Sequence, residues 1–441
     1  MSLVRIISNT STNYESEVRE LASRLRSGGL TAASERSELD VTSIVRDLLE
    51  QVRTGGNSAV AALTSKLDRA AITPETLRIP QDELQRAHAE ADPEFMELMR
   101  RVIANIREYQ EHIRIRAPEP LLRGGRVLGV RYTPIDRIGV YVPGGRALYP
   151  STVLMTVVPA QVAGVREVVI ASPPTGGDIS PMAMALAVEL GITEVYRMGG
   201  AVALAALAFG TETIPSVQKI VGPGNAFVAE AKRQLFGRVG IDSIAGPSEV
   251  FIVADDGATP SYVAADLLAQ AEHDPGSALL ATPSAELAKA VAEQVEQQVL
   301  ALERREAIAA ALRKYSAIIV TRSLDEACDW ANEFATEHLQ IMTRADAHCL
   351  QRIRHAGAIF VGQHTPVPVG DYFAGPSHVL PTGGTARQFG PLSCNEFLKA
   401  TSLIHYEPGH LAEDGPFIES FALKEGLTAH AAAVAVRGRP A

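Results

Sequence analysis

Short apolar runs alternate with segments of helical pattern through most of the chain. The pattern predicts strands at 137–142 (RIGVYV), 167–171 (EVVIA), 194–198 (EVYRM), 219–221 (KIV), 249–254 (EVFIVA), 278–281 (ALLA), 317–321 (AIIVT) and 358–361 (AIFV). Such alternation is typical of parallel α/β sheets, in which a helix connects each strand to the next. The runs fall into two groups of four, so we predict an α/β fold with two similar parallel sheets and a boundary near 242–247.

The segments outside these groups carry helical patterns. Residues 1–32 are polar and predict a mostly helical arm. Residues 33–115 also predict helices, most clearly where Leu, Met, Ile and Val recur regularly on a charged background. The tail at 385–441 holds shorter helical pieces and could be a separate docking element. A chain of 441 residues is expected to form more than one domain.

Composition narrows the class of protein. The chain is 46% hydrophobic and 21% charged, which is normal for a folded soluble protein, and its net charge of −10 argues against a nucleic-acid partner. The N-terminus lacks the apolar core of a signal peptide, and Met198–Gly210, the most apolar stretch, is too short to cross a bilayer. Its 3 cysteines form no CxxC pair. We therefore expect a cytoplasmic protein that binds neither nucleic acid nor membrane.

Two glycine-rich turns follow strands of the first group. One is 142–146 (VPGGR), and the other is 221–225 (VGPGN), which leads into a predicted helix at 226–236. A glycine turn at a helix N-terminus can bring backbone N–H groups close to a phosphate, but it can equally be a tight strand-to-helix connection. Because two such turns occur in one α/β unit, we weigh a site for a nucleotide or other anion equally with simple tight turns. The GxGxxG pattern of ordinary dinucleotide-binding turns is absent.

Histidines concentrate in the second half of the chain, where we expect acid–base or metal chemistry. Gln270 and His273 stand three residues apart at the end of the predicted helix 261–274, so they share one helix face. His273 is a natural metal or substrate ligand. A neutral amide is a poor metal ligand, so spacing alone does not select Gln270, and a carboxylate would be expected in its place.

Three further residues suggest a site in the same half. Glu337 could act as a general base and the adjacent His338 as its acid–base partner, provided that a turn after the 331–335 helix directs both into one cleft. The alternative is an exposed pair at a helix end. Asp371 follows the AIFV strand, where the carboxyl ends of strands usually build the site of an α/β sheet. Carboxylate and imidazole ligands would suit Zn²⁺.

Long sequence blocks identify a resemblance to a known family. They are YVPGG (141–145), YPSTVLM (149–155), GGAxAxAALAFGTE (199–212), KIVGPGNAFVAEAKR (219–233), AGPSEV (245–250), DLLAQAEHD (266–274), TEHLQI (336–341), GDY (370–372), HVLPT (378–382) and EGLTAH (425–430). In this order they resemble the histidinol dehydrogenase family over about 35–437. The resemblance implies oxidation of L-histidinol to L-histidine through an aldehyde, with two NAD⁺ and one zinc ion per subunit, at the end of histidine biosynthesis.

The resemblance also implies an architecture. It is an intertwined homodimer of two similar, incomplete Rossmann-like parallel-sheet domains, with helical arms at both ends of the chain. The implied divisions are an N-terminal helical arm at 1–32, a main α/β domain at 33–138 and 247–384 with the zinc and catalytic residues, an inserted NAD-binding domain at 139–246, and a tail at 385–441 that docks on the partner.

Specific residues receive roles from the same resemblance. The implied zinc ligands are Gln270, His273, Asp371 and His430, and the implied acid–base pair is Glu337 with His338. The implied substrate contacts are Ser248, Gln270, His273, His338, Asp371, His378, Glu425 and His430. Tyr141 and Asn225 would contact NAD. Glu425 and His430 would reach the site from the other subunit of the homodimer.

Two departures from the family pattern leave alternatives open. Val202 stands where the family usually has a glutamine that contacts NAD, so a polar contact to the cofactor would be lost. Ser377 and the stretch 387–394 also differ, close to the substrate histidine. One alternative is a paralogue with the same zinc and NAD machinery that acts on another small polar alcohol, such as a sulfonated propanediol. A less favoured alternative is a zinc hydrolase. Glu425 favours histidinol, because a carboxylate suits a cationic substrate and repels a sulfonate.

Overall fold

The computed structural model of the chain describes residues 3–26, 40–144, 150–244, 246–273 and 276–438. Its strands are β1 (Arg5–Ser8), β2 (Leu121–Arg123), β3 (Arg126–Pro134), β4 (Arg137–Tyr141), β5 (Glu167–Ser172), β6 (Glu194–Arg197), β7 (Lys219–Val221), β8 (Gly240–Ile241), β9 (Ser248–Ala254), β10 (Gly276–Thr282), β11 (Ala317–Val320), β12 (His338–Met342), β13 (Ala358–Val361) and β14 (Leu398–Tyr406). Its helices are α1 (Tyr14–Arg26), α2 (Val41–Asp68), α3 (Gln81–Ala89), α4 (Pro93–Ile113), α5 (Pro150–Ala163), α6 (Pro181–Glu189), α7 (Gly200–Phe209), α8 (Ala226–Leu235), α9 (Pro260–Ala271), α10 (Ala285–Gln298), α11 (Arg305–Tyr315), α12 (Leu324–Phe334), α13 (Asp346–Arg352), α14 (Val367–Tyr372), α15 (Pro408–Lys424) and α16 (Thr428–Gly438).

The first predicted group of strands forms a five-stranded parallel sheet. Its order is β6-β5-β4-β7-β8, and each of the four predicted runs is a strand in it. The chain order reverses between β4 and β7, which lie side by side in register. Such a reversal leaves a crevice at the carboxyl ends of the two strands, where ligands of open α/β sheets bind. Both glycine turns begin at this point, although Gly145 and Arg146 lie outside the described residues.

The second predicted group belongs to a six-stranded parallel sheet. Its order is β1-β11-β10-β9-β12-β13. All four predicted runs are confirmed, and β1 and β12 are additional. The N-terminal arm, predicted to be mostly helical, contains helix α1 and, before it, a strand that was not predicted: Arg5–Ser8 pairs with β11 at the edge of the sheet. A four-residue edge strand with two exposed residues gives too short an apolar run to be recognised in the sequence.

Helices α2, α3 and α4 form a second layer outside the helices that cover the five-stranded sheet. Helix α2 contacts α7 and α8, α3 contacts α6, and α4 contacts α5. Helices α5, α6 and α7 are apolar on nearly every side and are buried, so a second helical layer must cover them. The predicted division of the chain, in which 33–138 joins 247–384, stays a prediction. The described helices of 41–113 share their cores with 139–246.

A third, antiparallel sheet was not predicted. It has the order β14-β3-β2, and β3 pairs with β14 over nine residues from Pro134–Leu398 to Arg126–Tyr406. It carries the helical hairpin α15–α16 away from the two parallel sheets. The hairpin is anchored where Arg126 forms a two-pronged ion pair with Asp414. Among the described residues, no helix has the length and apolarity needed to cross a membrane.

Candidate active site

Five of the predicted site residues, Ser248, Gln270, Glu337, His338 and Asp371, lie together at the amino ends of strands β9 and β12. Ser248 opens β9, His338 opens β12, and Gln270 lies in the last turn of α9, just before β10. The expectation of a site at the carboxyl ends is therefore wrong for this sheet. Asp371 is the last but one residue of α14, and its carboxylate lies 3.5 Å from Nε2 of His338. Helix α14 thus brings a residue that follows β13 to the opposite end of the sheet.

The side chains of Glu337 and His338 lie next to each other in the interior. Helix α12 ends at Ala335, which has the left-handed φ of 50°, and the chain then turns into β12. The distance from Oε2 of Glu337 to Nδ1 of His338 is 3.7 Å. Both side chains are buried. The predicted turn after the helix therefore does direct both groups to one place, and the alternative of an exposed pair is excluded.

A chain of hydrogen bonds fixes the orientation of Glu337 and Gln270. The hydroxyl of Ser248 donates to Oε2 of Glu337 at 2.5 Å, and Nε2 of Gln270 donates to that hydroxyl at 2.8 Å. Because the serine proton goes to a carboxylate, the serine oxygen must accept from the NH₂ end of the glutamine. The carbonyl end of Gln270 is then free of this bond. The amide of Gln270 is thus oriented by Ser248, and its role as a metal ligand stays a prediction.

His338 has one nitrogen fixed by the backbone and one that faces Asp371. Nδ1 lies 3.1 Å from the carbonyl oxygen of Glu249. A carbonyl only accepts, so Nδ1 keeps its proton and Nε2 is the nitrogen that can gain or lose one. Nε2 is buried without a hydrogen-bond partner among the described residues. Burial lowers the pKa of His338, but the carboxylates of Glu337 and Asp371 outweigh it and raise the pKa to about 9.

His378 and His273 lie near the pair of Asp371 and His338. Burial lowers the pKa of His378, Asp371 raises it, and His338 and His273 lower it further. Asp371, His338 and His273 therefore lie close enough to His378 to act on its charge. His273 itself is exposed at the end of α9.

The donors in one chain do not complete a metal site. In the described part of the chain, no three His, Cys, Asp or Glu residues are arranged to hold a metal ion. Gln270, His273 and Asp371 supply nitrogen and oxygen donors of the kind that zinc accepts. Glu425 and His430 are exposed on the α15–α16 hairpin. The structure therefore does not bring these two together with the others within one chain.

The glycine turn after β7 is held by a buried ion pair. Gly222 has a φ of +115°, and a Cβ there would lie 2.1 Å from the carbonyl oxygen of Tyr141. Its N–H donates to Asp242 and its carbonyl accepts from Lys232, while Lys232 and Asp242 pair with each other. Packing against the end of β4 thus explains this glycine as a tight turn. Its N–H is not available to a phosphate.

The predicted cofactor residues flank the crevice between β4 and β7. Tyr141 is buried, and its hydroxyl accepts a hydrogen bond from N–H of Gly200 at the start of α7. Asn225 is exposed and caps helix α8 through its side-chain oxygen. Val202 is 1% exposed and belongs to the apolar core beneath α7. Val202 therefore packs among apolar side chains, and the expected loss of a polar contact to NAD stays a prediction.

Glu249 was not selected from the sequence. It is 2% exposed, and its backbone contacts both Glu337 and His338. The signal that could have found it is a carboxylate at the start of the apolar run EVFIVA, since an unpaired charge in a buried strand is costly. The buried pair of Lys232 and Asp242 was missed as well, because the two residues are distant from any strand end in the pattern.

Comparisons with known proteins identify the family of this chain. A family model for histidinol dehydrogenase matches residues 31–438. The histidinol dehydrogenase of Geobacillus kaustophilus is 49% identical over 417 residues, which cover 94% of this chain and 98% of that protein. That of Bacillus subtilis is 47% identical, with coverage of 90% and 92%.

A solved structure of a histidinol dehydrogenase has the same fold as this chain. The crystal structure of histidinol dehydrogenase from Elizabethkingia anophelis superposes with a TM-score of 0.90 at 32% identity, and the match covers 99% of this chain and 98% of that one. The chain belongs to the histidinol dehydrogenase family.

Proposed function

We propose that this chain oxidises L-histidinol to L-histidine through the aldehyde, with NAD⁺ as electron acceptor. The observation that carries the proposal is the pairing of Glu337 and His338 in one buried cleft, at 3.7 Å, with Asp371 against the free nitrogen of His338. A carboxylate base and an imidazole acid–base group at one position can serve an alcohol oxidation and the hydration of an aldehyde in turn. Membership of the family supports this order of steps.

His338 serves the first oxidation. In the neutral form, whose fraction grows as the pH approaches the pKa of about 9, Nε2 accepts the proton of the alcohol while a hydride leaves the carbon, and the products are an aldehyde and a protonated imidazole. The bond from Nδ1 to Glu249 keeps the ring in the orientation that exposes Nε2 to substrate. A hydrogen-bonded second nitrogen is the usual device that sets which imidazole nitrogen reacts.

Glu337 serves the second oxidation. It removes a proton from a water molecule that adds to the aldehyde carbon, and the hydrate then loses its second hydride to give the carboxylate. Ser248 and the N–H of Glu249 both donate to one oxygen of Glu337. The other oxygen is therefore the one that faces water. Two hydrides leave in all, so two NAD⁺ are reduced for each histidinol.

The side chains at the two candidate cofactor positions suit zinc and NAD. Bound NAD⁺ supplies the hydride acceptor, and bound zinc supplies a fixed positive charge that orients the substrate nitrogens. Gln270, His273 and Asp371 would hold the zinc ion with His430 of the partner subunit. Tyr141 and Asn225 would contact NAD in the crevice between β4 and β7.

A homodimer with shared sites would complete this set. The α15–α16 hairpin contacts the rest of its own chain mainly through β3, and it exposes apolar side chains: Phe417 is 76% exposed and Phe421 is 67% exposed. Exposed clusters of large apolar side chains indicate a contact surface. In an intertwined dimer the partner subunit would cover this apolar surface of the hairpin. The hairpin would at the same time bring Glu425 and His430 to the active site of the partner. Synthesis of an amino acid would place the enzyme in the cytoplasm.

The test is a substrate panel with the purified, zinc-loaded protein. Histidinol, a sulfonated propanediol and other small alcohols are each mixed with NAD⁺, and NADH absorbance is followed. Rapid NADH formation with histidinol and little with the sulfonate supports the proposal. The reverse preference supports the paralogue. No NADH with any alcohol, together with hydrolytic activity, would support the zinc hydrolase.

A further inference from the structure

Glu249 is a carboxyl group in the interior that has no role in the steps above. It is the second residue of β9 and is 2% exposed. Its backbone N–H donates to Oε2 of Glu337 at 3.1 Å, and its backbone carbonyl accepts from Nδ1 of His338 at 3.1 Å. One residue thus holds both members of the acid–base pair through its main chain.

The side chain of Glu249 makes contacts of its own with the neighbouring backbone. Its Oε2 accepts a hydrogen bond from N–H of Gly383 at 3.3 Å, and its carboxyl also interacts with the backbone N–H of Glu337. The backbone N–H of Glu249 thus holds the carboxyl of Glu337, while the carboxyl of Glu249 is held by the N–H of Gly383 and lies close enough to the backbone of Glu337 to interact with it. These contacts fix the positions of the two carboxyl groups relative to each other.

The charges around Glu249 disfavour its ionised form. In the described part of the chain, the titratable groups that act on its carboxyl are Glu337, which repels the charge, and His338, which attracts it. Burial and Glu337 raise the pKa of Glu249 to about 8, against the smaller lowering by the N–H groups of Gly383 and Glu337. Two carboxylates this close in a buried site cannot both be charged without a large cost.

We propose that Glu249 is a positioning residue of the reaction: its side chain remains a neutral carboxylic acid that anchors the backbone at Glu337 and Gly383, so that Glu337 is the charged carboxylate of the buried pair. The inference rests on the proposed function, because it assigns Glu337 to water activation. A second negative charge at Glu249 would make Glu337 and His338 hold their protons more tightly. Ionisation of Glu249 in alkaline solution would therefore alter aldehyde oxidation.

Two variants, Glu249→Gln and Glu249→Ala, test whether an uncharged hydrogen-bond acceptor at this position is enough for activity. Gln is neutral and keeps an oxygen for the two N–H groups, so at pH 7 its aldehyde oxidation should stay within about threefold of the unaltered enzyme. Ala removes the acceptor, and the rate should fall about ten- to a hundredfold. Asp266→Asn is the matched control, since it replaces another buried carboxyl by an amide away from this pair.

The pH profile of aldehyde oxidation is the deciding kinetic readout. We expect a transition near pH 8 in the unaltered enzyme and in Asp266→Asn, and its absence in Glu249→Gln. A Glu249→Gln variant that is as slow as Glu249→Ala at pH 7, or that keeps the alkaline transition, would overturn the inference.

Infrared difference spectroscopy tests the same inference without turnover. The carbonyl band of a protonated carboxyl should be present at pH 7, should vanish as the pH rises beyond about 8 and should be missing in Glu249→Gln. If the band is found but no variant oxidises histidinol, the proposed function fails while the protonation state stands. If histidinol is oxidised and the band is absent, the inference about Glu249 fails alone.

Discussion

Oε2 of Glu337 lies 3.7 Å from Nδ1 of His338, although neighbouring residues of a strand normally point to opposite faces. The exception arises because only His338 belongs to β12, while Glu337 still lies in the turn that follows the left-handed residue Ala335. The same oxygen of Glu337 accepts from Ser248 and from the backbone of Glu249. The pair is therefore fixed before substrate arrives.

Glu337→Gln should separate the two oxidations. The amide keeps the size of the side chain but cannot remove a proton from water, so aldehyde oxidation should fall about 10²- to 10⁴-fold. Alcohol oxidation should fall much less, because it uses His338. The measurement compares single-turnover NADH formation from histidinol and from the aldehyde. An equal loss in both reactions would contradict the assignment of Glu337 to water.

Ser248→Ala should weaken both ends of the hydrogen-bond chain. It removes the donor to Glu337 and leaves the NH₂ group of buried Gln270 without its acceptor. An unsatisfied buried donor costs about 1–3 kcal/mol, and we expect weaker zinc binding and slower turnover. Zinc titration of the variant measures the first effect. Ser248→Thr keeps the hydroxyl and serves as the control; a Thr variant as impaired as the Ala variant would show that the hydroxyl is not responsible.

Two inactive variants should restore activity when mixed. If a site combines Glu337 of one subunit with His430 of the partner subunit, each mixed dimer of Glu337→Gln and His430→Asn contains one intact site. Random exchange makes half of the dimers mixed, so about a quarter of the original activity should return. The assay is histidinol oxidation after denaturation and joint refolding, with each variant refolded alone as the control. Absence of any recovery would reject the shared site.

Asp266 should make stability depend on pH. Burial raises its pKa to about 6, against the opposing hydrogen bond from Gln340, whose Oε1 is buried and has no hydrogen-bond partner in the described part of the chain. A protonated Asp266 can donate to that oxygen. The folded-state pKa lies above the unfolded value, so the stability contribution is complete below pH 4 and is lost as the pH rises through about 6.

Asp266→Asn supplies a donor to Gln340 at every pH. The variant should match the unaltered protein near pH 4 and exceed its stability at pH 7 by on the order of 1–3 kcal/mol. Urea unfolding at the two pH values measures this difference. A variant that is equally stable relative to the unaltered protein at both values would show that Asp266 does not titrate in this range.

Buried parallel strands were predictable because they are continuous apolar runs. All eight predicted runs are strands, since strands covered on both faces need apolar side chains throughout. Strand β12 was missed because His338 and Gln340 interrupt its sequence with polar residues, both of which serve contacts to other elements. Strands β3 and β14 were missed because most of their residues are only partly buried or exposed.

The site was only partly readable from residues alone. Glu337, His338, His273 and Asp371 carry side chains whose chemistry draws attention, but Gln270 entered through the family resemblance. Its orientation depends on Ser248, a contact across 22 positions that no local pattern encodes. The position of the site at the amino ends of the strands was also unreadable, because it depends on how α14 folds back. The core that the helices of 41–113 join was unreadable for the same reason, because tertiary packing and not local pattern decides which sheet a helix covers.

The stoichiometry of NADH to histidinol tests the central claim most directly. Zinc-loaded enzyme is given a limiting, known amount of histidinol with excess NAD⁺, and NADH and the final product are both measured. Two NADH per histidinol, with histidine as the product and no turnover after zinc is removed, is the result that Glu337 and His338 in one cleft predict. One NADH with accumulated aldehyde, or unchanged turnover in metal-free enzyme, would contradict it.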